Sequence, residues 1–273
     1  MSLLSAVRLA ADPCALMTRA GLTPDSWQRR LLNDQPHRAL VVTSRQAGKS
    51  TSTAALALHR AITRSGTLIV LVSPSQRQST ELLLKVATFT DHTPEIAVER
   101  RSAMRLHLVN GSRVEALPGN SSAVRGYSSA GLIVADEAGW IPDDVFTAIS
   151  PILAASGGDL MLLSTPNGKQ GWLYDQWAHG SDAWTRVAVP HTEITRLDAG
   201  QVAFDRATMG TRFVQEYECE FLAPRGALFD VDSIEVATSP ADAPDMPNPH
   251  DIVKRAYARA RADHQQQGEG YAA

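Results

Sequence analysis

Apolar residues along this chain fall into two rhythms. Short unbroken runs occur at Arg38–Val42, Thr67–Ser73, Gly131–Ala135 and Leu160–Ser164. They are too short for helices and end in small or polar residues, so they predict buried strands. Between them, Lys49 to about Arg64, rich in Ala and Leu, and Gln76–Phe89 predict helices. At the start, Leu3, Leu4, Val7, Leu9, Leu16 and Met17 give residues 1–20 a helical pattern. Gly21-Leu22-Thr23-Pro24 reads as a turn with Thr23 as its capping residue, leading into a short helix over Asp25–Leu32. Arg105–Leu108 and Ser112–Leu117 flank Asn110-Gly111, the signature of a hairpin turn. Strands alternating with helices across short loops predict an α/β fold, a mostly parallel central sheet flanked by helices on both faces.

From about Arg225 the pattern fades. Pro240, Pro244, Pro247 and Pro249 lie in an acidic, small-residue stretch that reads as a linker, and Ile252–Gln267 reads as a polar terminal helix. The expected organisation is an N-terminal helical segment over 1–20, one large domain over 21–230, and a Pro-rich linker with a polar tail over 231–273. No internal repeat is visible. Hydrophobic residues make up 44% and charged residues 20%, as in ordinary globular domains. No apolar run reaches the length of a membrane span, and the N-terminus lacks the pattern of a secretory signal, so no membrane partner is expected. Cys14 and Cys219 form neither a disulfide framework nor a metal-ligand spacing. A net charge of −3 argues against a protein that coats nucleic acid, though a few local arginines could still grip DNA.

Candidate chemistry gathers at the loops that follow the predicted strands. Thr43-Ser44-Arg45-Gln46-Ala47-Gly48-Lys49-Ser50-Thr51 joins a strand to a helix. Such a loop aims backbone N–H groups and a helix N-terminus at one point, which favours phosphate. Lys49 would then reach the β- and γ-phosphates of ATP, and the Ser50 hydroxyl would ligate Mg²⁺. The strict pattern has Gly where this chain has Thr43, and an ordinary surface turn reading Gly-Lys-Ser is the alternative. Asp136-Glu137 follows a second apolar strand. Asp136 suits Mg²⁺ held through its hydration shell, and Glu137 suits a base polarising the attacking water; the alternative is a solvated pair capping a strand. Ser164-Thr165 ends a further strand, where motors of this kind sense the γ-phosphate, but Ser164-Thr165-Pro166-Asn167-Gly168 is also a common turn sequence. Gln28, after Trp27, carries an amide able to pair with the adenine edge, or is simply an exposed helix residue.

Taken in order, these segments resemble the N-terminal ATPase of tailed-phage terminase large subunits. The resemblance rests on Trp27-Gln28, on Ser44-Arg45-Gln46-Ala47-Gly48-Lys49-Ser50 as a Walker A without its leading Gly, and on Val124-Arg125-Gly126-Tyr127. It rests further on Asp136-Glu137-Ala138 as Walker B, Ser164-Thr165-Pro166 as the coupling motif, and Phe213-Val214-Gln215-Glu216-Tyr217-Glu218-Cys219-Glu220-Phe221 as the closing segment. It implies a P-loop NTPase fold of the ASCE type and an ATPase motor that drives double-stranded DNA into a procapsid. ATP and Mg²⁺ are the cofactors it implies. Its implied partners are the portal protein, a small terminase subunit and further copies of the chain in a ring, in the host cytoplasm. It also implies that Arg45 is an arginine finger in cis and that Arg125 is one acting in trans, the alternative for Arg125 being a DNA or surface contact. Cys219 is expected to pack as a small apolar group.

Such terminases continue into a nuclease, and too few residues follow Phe221 for that fold. Cutting of DNA is therefore not expected of this chain, the nuclease being a separate polypeptide or lost. Two competing readings remain: a helicase-like DNA-remodelling ATPase, and a prophage remnant that binds nucleotide without packaging.

Overall fold

The computed structural model describes residues 3–223, with side chains from residue 7 onward. These residues lie within one compact unit. The linker and terminal helix expected beyond residue 230 fall outside the described residues. The chain opens with α1 (Leu3–Ala11), α2 (Ala15–Arg19) and α3 (Ser26–Asp34). The 1–20 segment is thus two helices rather than one, the helical run ending at Ala11 just before Asp12-Pro13, because proline disfavours helical geometry at the residue before it. Residue Asp25, not Thr23, caps α3, through a reciprocal capping box with Gln28.

Next come β1 (Arg38–Thr43), α4 (Lys49–Thr63), β2 (Leu68–Ser73), α5 (Gln76–Asp91), β3 (Val98–Arg101), β4 (Arg105–Leu108) and β5 (Arg113–Pro118). They are followed by α6 (Ser121–Val124), β6 (Leu132–Asp136), a 3₁₀ turn over Ala138–Trp140, α7 (Asp143–Ser156), β7 (Asp159–Ser164) and α8 (Gly171–His179). Last come β8 (Thr185–Val189), α9 (Ala199–Met209) and α10 (Thr211–Tyr217). The eight strands form one sheet in the order β3-β4-β5-β2-β6-β7-β1-β8. All pairings are parallel except β3–β4 and β4–β5, the second being the hairpin expected at Asn110-Gly111. Strand β7 lies between β1 and β6, the interposed strand that defines the ASCE arrangement.

Strands β1, β2, β6 and β7 are buried almost throughout, as continuous apolar runs require when helices cover both faces. One core joins Leu9, Leu16 and Trp27 with α4 and α5 against Val41, Ile69, Leu71 and Val134. The other packs α7 against Leu40, Val70, Ile133 and Leu162. No helix among the described residues is long and apolar enough to cross a membrane.

Candidate functional site

In a parallel sheet the loops that leave the C-terminal strand ends share one edge, and a site at that edge can be assembled from segments distant in sequence. The loop after β1 runs from Ser44 to Gly48. Thr43 is fully buried and its hydroxyl donates to Ser44 O at 3.0 Å, so the residue standing in place of a leading glycine is absorbed by the core. Gln46 and Gly48 take positive φ of 57° and 82°, which curls the loop, and Ala47 is buried beneath it. Helix α4 begins at Lys49 with no side-chain cap at Gly48, so its first-turn N–H groups are available to an anion.

Lys49 Nζ lies 2.7 Å from Glu137 Oε1, and Ser50 Oγ donates to Asp136 Oδ2 at 2.9 Å. Glu137 itself has φ of 55° and ψ of 44°, a left-handed turn rare for a residue with a side chain, immediately after β6. Asp136 is 7% exposed, and its Oδ1 is buried with no hydrogen-bond partner. Burial foremost, then the neighbouring Glu137, pushes its carboxyl above the usual range, against the opposing pull of Lys49 and Ser50. A buried carboxylate oxygen left short of a partner is costly, and a divalent cation is the group that would satisfy it. Asp136 and the Ser50 hydroxyl therefore fit Mg²⁺. A cleft of about 600 Å³ opens beside them, lined by Arg45, Gln46, Lys49, Glu137, Trp140 and Thr165 among others.

The remaining expected residues divide. Thr51 sits in the first turn of α4, half-buried. Ser164 does not reach into the cleft. It is buried, and its Oγ accepts Gly139 N–H at 3.2 Å, while Asn167 Nδ2 donates to Gly139 O at 2.7 Å. A Cβ on Gly139 would meet those two side chains at 3.1 and 3.2 Å. The end of β7 thus clamps the turn that carries Glu137, and Thr165, beside it, faces the cleft. Gln28 is buried at 2% exposure: its Oε1 accepts Asp25 N–H at 2.8 Å and its Nε2 donates to Gly48 O at 3.3 Å, so its amide braces the loop.

Arg45 makes a two-pronged pair with Glu216, Nε to Oε2 at 2.6 Å and NH2 to Oε1 at 2.9 Å, and its backbone N–H donates to Glu216 O. Arg196 donates to Gln46 O at 3.0 Å, pairs with Asp25, and crowds Gly48, where any Cβ would lie 2.8 Å from its guanidinium. Glu216, Arg196 and Asn167 were not candidates from the sequence. Glu216 and Asn167 lay inside recognised segments without a role of their own, and no local pattern marks Arg196. Arg125, exposed at the end of α6, stands apart. It follows β5, four strands from β1, which is about 19 Å at the usual strand spacing. Cys219 is buried, its thiol pushed up to about 12 by desolvation, and it donates to Val189 O, as a packing residue would.

With this geometry in place, residues 40–236 match the family described as "Terminase large subunit, T4likevirus-type, N-terminal". The chain belongs to that family. The ATPase domain of the Thermus phage P74-26 large terminase has the same fold, with a TM-score of 0.64 at 20% identity over 77% of this chain and 97% of that one. The large terminase of another thermophilic bacteriophage, in complex with ADP, gives a TM-score of 0.62 at 11% identity over 73% of this chain and 54% of that one. The same thermophilic-phage protein in complex with ATP-gamma-S gives 0.59 at 11% identity over 72% of this chain. This terminase chain thus spans about half the length of that second relative. No curated protein sequence matches it.

Proposed function

We propose that this terminase chain hydrolyses ATP and uses the energy to translocate double-stranded DNA into a procapsid. The observation that carries the ATPase reading is the meeting of Lys49, Ser50, Asp136 and Glu137 at the uncapped N-terminus of α4. The complexes of the thermophilic-phage terminase with ADP and ATP-gamma-S support the choice of nucleotide. The motor role rests on family membership, and with it the portal protein, a small terminase subunit and a ring of identical chains as partners.

In this reading the loop from Ser44 to Gly48 and the first turn of α4 cradle the phosphates. Lys49 neutralises charge on the β- and γ-phosphates. Ser50 and Asp136 hold Mg²⁺, which when bound bridges phosphate oxygens and stabilises their developing charge. Glu137 takes a proton from the water whose oxygen attacks the γ-phosphorus as the bond to the β-phosphate oxygen breaks. The Lys49–Glu137 pair gives these steps an order: phosphate that draws Lys49 away leaves the Glu137 carboxylate free to accept that proton. Arg45, at the mouth of the cleft, is the finger in cis, and it must leave Glu216 to act. Arg125, too far from its own loop, is the finger supplied to a neighbour. Ser164 and Thr165 link the cleft to the Glu137 turn. Gln28 serves adenine only if its amide exchanges its present partners, and otherwise acts as a strut.

Steady-state ATP turnover tests the core of this reading. Lys49→Ala is expected to lower it by on the order of 10²–10³-fold, the effect of losing a preorganised charge at a reacting phosphate. Undiminished turnover would refute the site. Mixing Arg125→Ala with Glu137→Gln chains tests the finger in trans, because paired subunits then regain one complete site, and a mixture that stays inactive removes that role.

A further inference from the structure

The antiparallel edge of the sheet carries chemistry that the nucleotide site does not use. Pairing fixes which side chains share a face: Arg105 lies opposite Glu115, His107 opposite Arg113, and Arg100 opposite His107. Their alternates, Leu106, Leu108, Val114 and Ala116, are buried in the core on the α5 side. The outer face of β3, β4 and β5 therefore presents three arginines and a histidine. Arg105 and Arg113 are 61% and 48% exposed, and Arg100 is exposed as well.

One carboxylate belongs to this face, and it is spent. Glu115 is buried at 3% exposure, with Arg105 Nε at 3.2 Å, Arg113 NH1 at 3.6 Å and the Tyr127 hydroxyl donating to it at 2.8 Å. It anchors two guanidinium groups from beneath, and each keeps further N–H donors for a partner. Glu99, at the bulge of β3, is the exposed acid beside them. The cations here are arginines alone, since no lysine occurs between Lys85 and Lys169. Arginine's planar fork suits phosphate oxygens in pairs, where lysine offers a point charge.

We propose that this face binds the sugar-phosphate backbone of double-stranded DNA. The proposal rests on the motor reading above and assigns that motor a DNA-contacting surface. Three strands span roughly 10 Å. One DNA strand presents a charge about every 3.4 Å along the axis, so roughly three phosphates meet three arginines. A rigid sheet edge in a chain of net charge −3 offers a local grip without coating the rest of the protein in positive charge. Contacts of this kind carry no base information, which suits a motor that must pass any sequence.

The test is fluorescence anisotropy of a labelled DNA duplex titrated with the full chain from 50 to 200 mM salt, roughly the range over which phosphate contacts reveal themselves. Arg100→Ala and Arg113→Gln should each weaken binding and lower the magnitude of the log–log salt slope by about one, while Arg8→Ala, on α1, leaves the slope unchanged. Basal ATP turnover should be the same in all three, and Arg100→Ala, whose side chain is exposed, controls for folding. If wild type binds DNA and both variants match it in affinity and slope, the surface is wrong although the motor reading stands. If polyglutamate displaces the duplex at equal charge, the face takes an acidic protein and the proposal falls. If wild type hydrolyses ATP yet binds no duplex at the lowest salt, both the surface and the motor reading fall.

Discussion

Asp136 and Asp159 are both buried in the parallel core, at opposite ends of the paired strands β6 and β7, with Leu132 opposite Asp159 and Asp136 opposite Leu163. Asp159 is 1% exposed and ringed by cations: His37 Nδ1 at 2.6 Å, Arg60 at 3.1 Å and Arg64 at 3.3 Å. Asp136 receives one hydroxyl, from Ser50, has the carboxylate of Glu137 next to it, and sees the nearest ammonium, Lys49, committed to Glu137. The end of the sheet that closes the fold supplies its buried charge with partners from within. The end that does chemistry leaves a carboxylate oxygen short, and that shortage is what a metal ion can fill. Stability and function are thus separated along a single pair of strands.

The separation can be broken from either side. The largest effect is expected at Glu137→Gln, where single-turnover hydrolysis should fall by about 10²–10⁴-fold with nucleotide affinity retained. Parallel loss of affinity and turnover would mean that the carboxylate holds nucleotide instead of accepting a proton. At the other end, Asp159→Asn leaves Arg60, itself largely buried, without its counter-charge. Denaturant unfolding should show a loss of about 3–5 kcal/mol, with turnover per folded molecule unchanged.

Asp136→Asn should do the opposite to the fold. Because burial and Glu137 raise the folded carboxyl above its unfolded value, its stabilising contribution is present at low pH and lost as pH rises through the folded value. At neutral pH without metal or nucleotide, the amide variant should therefore melt higher than wild type, while losing the stabilisation that Mg²⁺ with nucleotide confers. A lower melting point would show that Asp136 is already satisfied.

The smallest effect is a pH slope from His59, near the Asp159 end. Its Nε2 donates to Ala10 O and its Nδ1 accepts from Gln35, the pattern of a neutral ring, and burial lowers its proton affinity below the ordinary 6.5. Stability from this group is full above the unfolded value and lost as pH falls from 6.5 toward the lower folded value. His59→Gln should flatten that part of the acid limb in a pH series of unfolding midpoints; an unchanged slope would place the titration elsewhere.

Legibility followed the range of the interactions. The strands from β1 to β7 that are buried on both faces announced themselves as apolar runs, and α4 and α5 by composition and periodicity. Helix α7 did not, since Pro151 reads as a breaker; Ile149, Ile152 and Leu153 are buried around it and keep the helix in place. Strand β8 has only Val189 fully buried, and α9 buries no side chain, so neither carries an apolar rhythm to read.

By itself the sequence determined what is continuous in the chain: the strand, loop and helix that hold Lys49 and Ser50, the strand that ends in Asp136-Glu137, and their order. Each is a local pattern, set by backbone geometry over a few residues. The tertiary structure alone decided that β7 lies between β1 and β6, that Ser164 and Asn167 clamp Gly139, and that Gln28 turns inward to brace Gly48. It also joined Arg45 to Glu216 across 171 residues and Arg196 to Gln46 across 150. Pairings of that range depend on how the sheet is ordered and packed, and nothing in the spacing of the residues records them.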